Sequence, residues 1–259
     1  MTTYVNKNKK SRLRKQSSGA RNASPRIDRS RDLFLGTLDR SRDRPLSRPR
    51  LRIVITAGPT REYLDTVRFI SNPSSGKMGY AIARAAAMRG HAVTLVSGPV
   101  ALRPPKGLTT IHVETGQEMA AAAKRAFLSA DAAILCAAVC DYRPVKRSDR
   151  KLPKSRDGLT LRLETTEDIA AALGRIKGRR VTIGFALEDR DARAHALEKM
   201  RRKRFDAIVL NGPGNIGSDL AEAALLTADG TAEWWPAESK ARMAGRIVRC
   251  LERLDRSGR

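Results

Sequence analysis

The chain has 259 residues, room for one large domain or two small ones, and 41% of them are apolar, enough for a core. Its 51 Lys and Arg outnumber 27 Asp and Glu to give a formal charge of +24. Three cysteines in a chain of this length (Cys136, Cys140 and Cys250) exclude a disulfide framework.

Residues 1–50 carry 15 basic and four acidic side chains, +11 of the total. Their only apolar cluster, Leu33-Phe34-Leu35, is far too short for a signal-peptide core or a membrane span. They show no helical or strand period and cannot bury enough surface to offset their ordering entropy, so a disordered basic extension is expected. A solvated tail or an incorrectly assigned start is the simpler reading. Nucleic-acid contact through phosphates is the functional alternative. The Arg and Ser content also suits an organellar targeting peptide, although the four acidic residues oppose it.

Residues 51–259 form the second expected domain. RIVITAG (52–58) reads as a buried strand ended by Gly58-Pro59. A helix from Gly76 to Arg89 stops at Gly90, and HAVTLVSGPV (91–100) and TTIHVET (109–115) are further strands. An Ala-rich helix spans Gln117–Leu128, and DAAILCAAV, opening at Asp131, reads as a strand buried on both faces. LTLRLE (159–164) alternates as a strand with one wet face, and a short helix follows from Glu167. VTIGFALE (181–188), a charged helix over 191–204 and AIVLN (207–211) continue the rhythm. ALLTADGTAEWWP (224–236) is a hairpin turning at Asp229-Gly230, and Ser239 caps a final amphipathic helix.

Strands alternating with helices imply an α/β fold: a doubly wound, Rossmann-like, mostly parallel sheet with helices on both faces, plus a C-terminal hairpin and helix. Ligands in such a fold sit at the carboxyl ends of strands, here the loops after Ala57, Ser97, Val139, Glu188 and Asn211.

SNPSSGKMG (71–79) is built like an anion site. A Walker loop fails, since Ser71 stands where its first glycine belongs and Met78 follows Lys77. The dinucleotide fingerprint fails too, because GPTREYLD after the first strand holds one glycine. What remains is Ser74, Ser75 and Gly76 at a helix N-terminus, which offers free N–H groups and the positive end of a macrodipole. A plainly capped helix start is the alternative.

The block ITAGPTREYLDTVRFISNPSSGKMGYAIARAAAMRGHAVTLVSGPV (55–100) closely resembles phosphopantothenoylcysteine synthetases, the phosphopantothenate–cysteine ligases of coenzyme A biosynthesis. The likeness continues through AAVCDYRP (137–144), GFALE (184–188), EKMRRKRFDAIVLN (198–211) and GSD (217–219). It implies that CTP activates the carboxylate of 4′-phosphopantothenate as an acyl-cytidylate, which L-cysteine's amine then attacks. By the same resemblance Asn72 is catalytic and engages that intermediate. Gly58, Ser74, Ser75, Gly76 and Lys77 would surround a phosphate, either of the triphosphate or of the pantetheine moiety. Ala137, Ala138 and Asp141 would bind nucleotide, with Asp141 also a candidate for Mg²⁺, and Cys140 replaces the family's alanine. Lys151 falls at the position of the catalytic lysine, though Pro153 interrupts the family's lysine cluster. Asp168 and Ile169 match a Pro-Asp-Ile that lines the nucleotide, with Glu167 in place of proline. Phe185, Lys199 and Lys203 would complete the cytidine site, although a core phenylalanine and a solvated helix face read the same way.

The resemblance further implies a homodimer in the cytoplasm. No flavin half is visible in residues 1–50, so FMN is not expected and the decarboxylase of the pathway would be a separate chain. Trp234 and Trp235 could belong to the dimer interface or cover the sheet. Arg61 and Arg68 are further anion candidates, and His91, His112 and His195 match no catalytic position. The cysteines read as small core residues of a reducing compartment, with no nearby histidine for zinc. The rival reading is a non-catalytic nucleotide-binding or RNA-associated protein on the same fold.

Overall fold

The computed structural model describes residues 50–156 and 158–257. The expectations for the N-terminal extension therefore lie outside the described residues. In chain order the first elements are β1 (Arg52–Ala57), β2 (Arg61–Tyr63), β3 (Phe69–Ser71), α1 (Lys77–Met88), β4 (Ala92–Ser97), β5 (Thr109–His112) and α2 (Gly116–Leu128). Next come β6 (Ala132–Leu135), β7 (Tyr142–Pro144), β8 (Leu163–Thr165), α3 (Ile169–Arg175), β9 (Val181–Leu187), α4 (Ala192–Arg202) and β10 (Ala207–Asn211). A hairpin of β11 (Leu220–Thr227) and β12 (Ala232–Ser239) leads into α5 (Lys240–Ser257).

Eight strands form one sheet in the order β12-β11-β10-β9-β6-β1-β4-β5. The six from β10 to β5 run parallel, and β11 and β12 add an antiparallel edge. Alternation along β1 shows why both faces need cover. Ile53 and Ile55 join the core beneath α1 and α5, whereas Val54 joins the core beneath α2, α3 and α4. From β1 the chain builds outward through β4 and β5, then crosses to the other side at β6. That reversal opens a crevice at the carboxyl ends of β1 and β6.

Helix α1 lies tight on β1 because Gly79 faces it. A Cβ there would stand 2.5 Å from the Ala57 Cβ and 3.1 Å from the Ala57 Cα. Gly76, the residue before the helix, has φ 71°, and a Cβ on it would meet Val100 Cγ1 at 2.8 Å and Gly58 Cα at 3.5 Å. Only glycine lets the start of α1 settle over the β1 loop in this way.

Several expected strands are shortened, two of them markedly. DAAILCAAV is a strand only to Leu135, and beyond it the backbone follows the end of β1 and the loop after it. The Cys136 N–H donates to the Thr56 carbonyl (3.3 Å) and the Ala138 N–H to the Gly58 carbonyl (2.9 Å). Of LTLRLE only Leu163 and Glu164 enter a strand, β8, which pairs with β7 apart from the main sheet and is exposed on both faces. Alternation there reflects no buried face. The β2–β3 hairpin went unseen as well, since three-residue strands are too short to display a period.

Trp235 is buried, and Arg246 lies 5.8 Å from its ring centroid, whereas Trp234 faces outward. Of the pair, Trp235 covers the sheet. His91 is buried, receives the Leu51 N–H at Nδ1 and lies 3.0 Å from Glu252 through Nε2. Among the described residues, no helix is long and apolar enough to cross a membrane.

Substituting Gly79 by Ala should lower stability by about 1–3 kcal/mol, the usual cost of overpacking a tight contact. The urea midpoint should fall while the slope of the transition stays the same. An unchanged midpoint would show that α1 does not need this close approach.

Candidate active site

A cavity of about 440 Å³ opens at the crevice between β1 and β6. Its floor is the carboxyl ends of the strands, represented by Thr56, Leu135, Phe185 and Asn211, and its walls are the loops that follow them.

On one side stands the start of α1. Ser74, Ser75, Gly76 and Lys77 all line the cavity. No side chain caps the helix and no acidic residue occupies its first turn, so the positive end of its dipole is not neutralised from within. Gly58 does not line the cavity; it lies beneath Gly76 and has φ 77°.

Opposite stands the loop after β6, with Ala137, Ala138, Val139 and Asp141 in the wall. Asn72 ties the two sides together. Its side-chain amide donates to the Ala138 carbonyl at 3.2 Å and to the Val139 carbonyl at 3.1 Å. The amide nitrogen is thus committed to the backbone, and the amide oxygen is what the side chain offers a ligand.

The third wall combines α3 and α4. Asp168 accepts the Ala171 N–H as the cap of α3 and pairs with Lys203 at 3.0 Å. Burial works to raise its pKa, but the Ala171 N–H and Lys203 prevail and lower it. Glu167 pairs with Lys124 at the cavity edge, and Ile169 is buried beside them. Lys199 and Lys203 both face the cavity. Burial is the main cause lowering the Lys199 pKa, reinforced by the charge of Lys203 and opposed by Glu188, Asp141 and Asp168. Phe185 lines the cavity and also packs against the core.

Three sequence candidates lie elsewhere. Arg61 sits over the Phe69 ring, 4.5 Å from its centroid, and Arg68 pairs with the fully buried Asp65 at 2.6 Å. Lys151 is exposed and not part of the cavity wall. Its loop is fastened one residue later: the Leu152 N–H donates to Asp65 (3.0 Å), and Arg68 donates to the Leu152 carbonyl (2.6 Å). Asp65 also accepts the N–H groups of Val67 and Arg68, and these bonds, led by that of Arg68, hold its carboxyl well below the usual aspartate range.

Other cavity residues escaped notice in the sequence: Thr166, Asn211, Asn215, Ile216 and above all Lys240. One signal for Lys240 was available, a lysine opening a helix just after the Ser239 cap, where the macrodipole disfavours it. Cys136 also reaches the wall; burial pushes its thiol up to about 12, against the pull of Lys240. Among the described residues, no group of three or more His, Cys, Asp or Glu could by itself hold a metal ion.

The family model described as "DNA/pantothenate metabolism flavoprotein C-terminal domain" matches residues 49–254. A relative from an unknown prokaryotic organism, described as a cysteine/cysteine sulfinic acid decarboxylase, is 42% identical over 204 residues, covering 76% of this chain and 57% of its own. The coenzyme A biosynthesis bifunctional protein CoaBC of Vibrio cholerae is 48% identical over 163 residues, or 62% of this chain and 41% of that protein. The chain thus spans about half the length of these curated relatives. Among solved structures, the C-terminal domain of a coenzyme A biosynthesis bifunctional protein CoaBC superposes with a TM-score of 0.71 at 37% identity. That match covers 82% of this chain and 98% of the other.

Asp65 gives the site a pH signature. Because its folded pKa is depressed, its contribution to stability is complete above the ordinary aspartate value of about 3.9 and is lost as pH falls below it. Asp65→Asn should free the loop at Leu152 and lower the urea midpoint at neutral pH. It should also flatten the acid limb of the stability curve by up to one proton. Wild-type and variant curves that stay parallel between about pH 5 and pH 3 would show that Asp65 carries no such linkage.

Proposed function

The chain belongs to the DNA/pantothenate metabolism flavoprotein C-terminal domain family, and from that premise we propose that it is a phosphopantothenate–cysteine ligase of coenzyme A biosynthesis. It joins 4′-phosphopantothenate to L-cysteine at the expense of CTP, giving 4′-phosphopantothenoylcysteine, CMP and pyrophosphate. The observation that carries this reading is the bridge from Asn72 to the carbonyls of Ala138 and Val139. It fixes one amide between an anion-binding helix start and a wall of lysines, where an acyl phosphate and an amine could meet.

A carboxylate is a poor electrophile. In the first step its oxygen bonds to the α-phosphorus of CTP, and the bond from that phosphorus to pyrophosphate breaks. In the second, the cysteine nitrogen bonds to the acyl carbon, the carbon–oxygen bond to CMP breaks, and the nitrogen gives up a proton. Both steps depend on placement and on neutralising charge. The Asn72 amide oxygen accepts a hydrogen from the attacking amine and aims its lone pair. Lys199 and Lys203 offset charge on the phosphoryl oxygens, Phe185 lies beside the base, and Ala137 and Ala138 let the backbone approach the nucleotide. Lys151 is assigned the same neutralising role by resemblance alone.

Magnesium accompanies a triphosphate through phosphate oxygens, waters and one or two carboxylates. Asp141 in the cavity wall fits that requirement, whereas Glu167 is engaged by Lys124 and Asp168 by Lys203 and its helix cap. Bound there, the ion would neutralise phosphate charge.

A homodimer suits the two small hairpins beside the site. Val67, Phe69, Tyr142, Val145, Leu159, Leu161 and Leu163 are all exposed large apolar residues on β2–β3, β7–β8 and their connections. The three free cysteines suit a cytoplasmic setting.

Pyrophosphate release should require 4′-phosphopantothenate, CTP and Mg²⁺, rise with cysteine, and fall in Asn72→Ala by about 10²-fold or more. Folded protein that releases none with CTP or ATP would overturn the ligase. In sedimentation, Phe69→Glu with Leu163→Glu should convert a dimer to a monomer; a wild-type monomer would overturn the interface.

A further inference from the structure

The cavity is electrically lopsided. At the α3–α4 end its two lysines are balanced: Lys203 pairs with Asp168 at 3.0 Å, and Glu188, Asp141 and Asp168 all act on Lys199. At the other end Lys77 and Lys240 meet, and each is the first residue of its helix. Helices of 12 and 18 residues therefore begin at one rim, each with a lysine in a first turn that holds no acid. The macrodipole disfavours a cation at both places. Burial and the nearby Lys77 both lower the Lys240 pKa, so the two ammonium groups feel each other across a partly desolvated space.

One carboxylate serves both lysines, and it comes from the strap of residues 212–219 that joins β10 to β11. The Lys77 ammonium donates to Asp219 at 2.6 Å and to the Gly217 carbonyl at 3.2 Å, while Lys240 donates to the Asn215 carbonyl at 3.2 Å. The backbone of the strap is tied down as well, since the Lys240 N–H donates to the Asp219 carbonyl at 3.2 Å. The Asp219 side chain is 87% exposed, so water already competes for it and the pair is readily exchanged. Two lysines, two helix starts and one exposed carboxylate leave a surplus of positive charge. The most anionic part of a ligand belongs there.

We propose that Lys240, together with Lys77, holds the β- and γ-phosphates of the nucleotide, and that Asp219 is the resident carboxylate those phosphates displace. The inference rests on the ligase reading for the identity of the nucleotide and names the seat of its leaving group. A pyrophosphate carries more charge than the α-phosphoryl group, and so takes the end with unbalanced cations, leaving the balanced end to the nucleoside monophosphate. When pyrophosphate departs, Asp219 returns to Lys77 and restores the strap. No bond is made or broken in this exchange.

Equilibrium binding of inorganic pyrophosphate, CTP and CMP, each with Mg²⁺, tests the assignment in wild type, Lys240→Met and Asp219→Asn. Lys240→Met should weaken pyrophosphate and CTP by about ten-fold or more, as loss of a charged hydrogen bond does, and leave CMP unchanged. Asp219→Asn should tighten pyrophosphate several-fold by removing its competitor. Equal losses for CMP and pyrophosphate, or none for either in a variant with wild-type thermal stability, would overturn the proposal. So would weaker pyrophosphate binding in Asp219→Asn. The two readings fail separately: pyrophosphate binding indifferent to Lys240 in a working ligase removes only the subsite. Lys240-dependent pyrophosphate binding without ligation removes only the ligase.

Discussion

The close approach of α1 to β1 sets the geometry of everything at the top of the sheet. Gly79 lets the helix backbone rest on Ala57, and Gly76, bent into a left-handed conformation, turns the chain over Gly58. These contacts aim the N-terminus of α1 across the crevice toward the loop after β6. Asn72 can then reach Ala138 and Val139, and Lys77 can reach the strap at Asp219. A side chain at either glycine would lift the helix start and disturb both connections.

The loop after β6 answers to the same constraint from the other side. Its backbone bonds the end of β1 through Cys136 and the loop after β1 through Ala138. Small residues suit such a segment, for any bulk would hold the two loops apart. The site is thus a place where backbone meets backbone. Asn72 is among the few side chains in it whose polar group is spent on holding the frame.

Around that frame, charge is distributed unevenly. Lys203 and Lys199 have acidic neighbours, whereas Lys77 and Lys240 share one exposed carboxylate. A ligand with an uneven charge of its own would be oriented before any specific contact formed, because the Coulomb energy differs between the two ends. That is how a cavity walled by four lysines can still impose a direction.

Length, the alternation of apolar strands with helices and the SNPSSGKMG stretch were enough to read an α/β layer and a helix that starts beside the cavity. These features are local: burial periodicity and capping chemistry act over a few residues, so sequence displays them. Asn72, Asp141, Phe185, Lys199 and Lys203 were singled out only by resemblance to the motifs of a known family, since neither periodicity nor capping marks them. The three-residue hairpins could not be read, because strands so short display no period; nor could the early end of β6 and the role of Asp65, which depend on hydrogen bonds between segments some 80 to 90 residues apart. Lys240 is the clearest case. Its neighbours in sequence describe an ordinary amphipathic helix, and only the docking of α5 beside α1 brings its ammonium to Lys77 and the strap. The sequence by itself determined the long strands and helices of the α/β layer and the uncapped start of α1, because those are properties of neighbouring residues. Tertiary structure alone decided which distant cations share one space and one counter-charge, because that energy depends on distance and burial rather than on order along the chain.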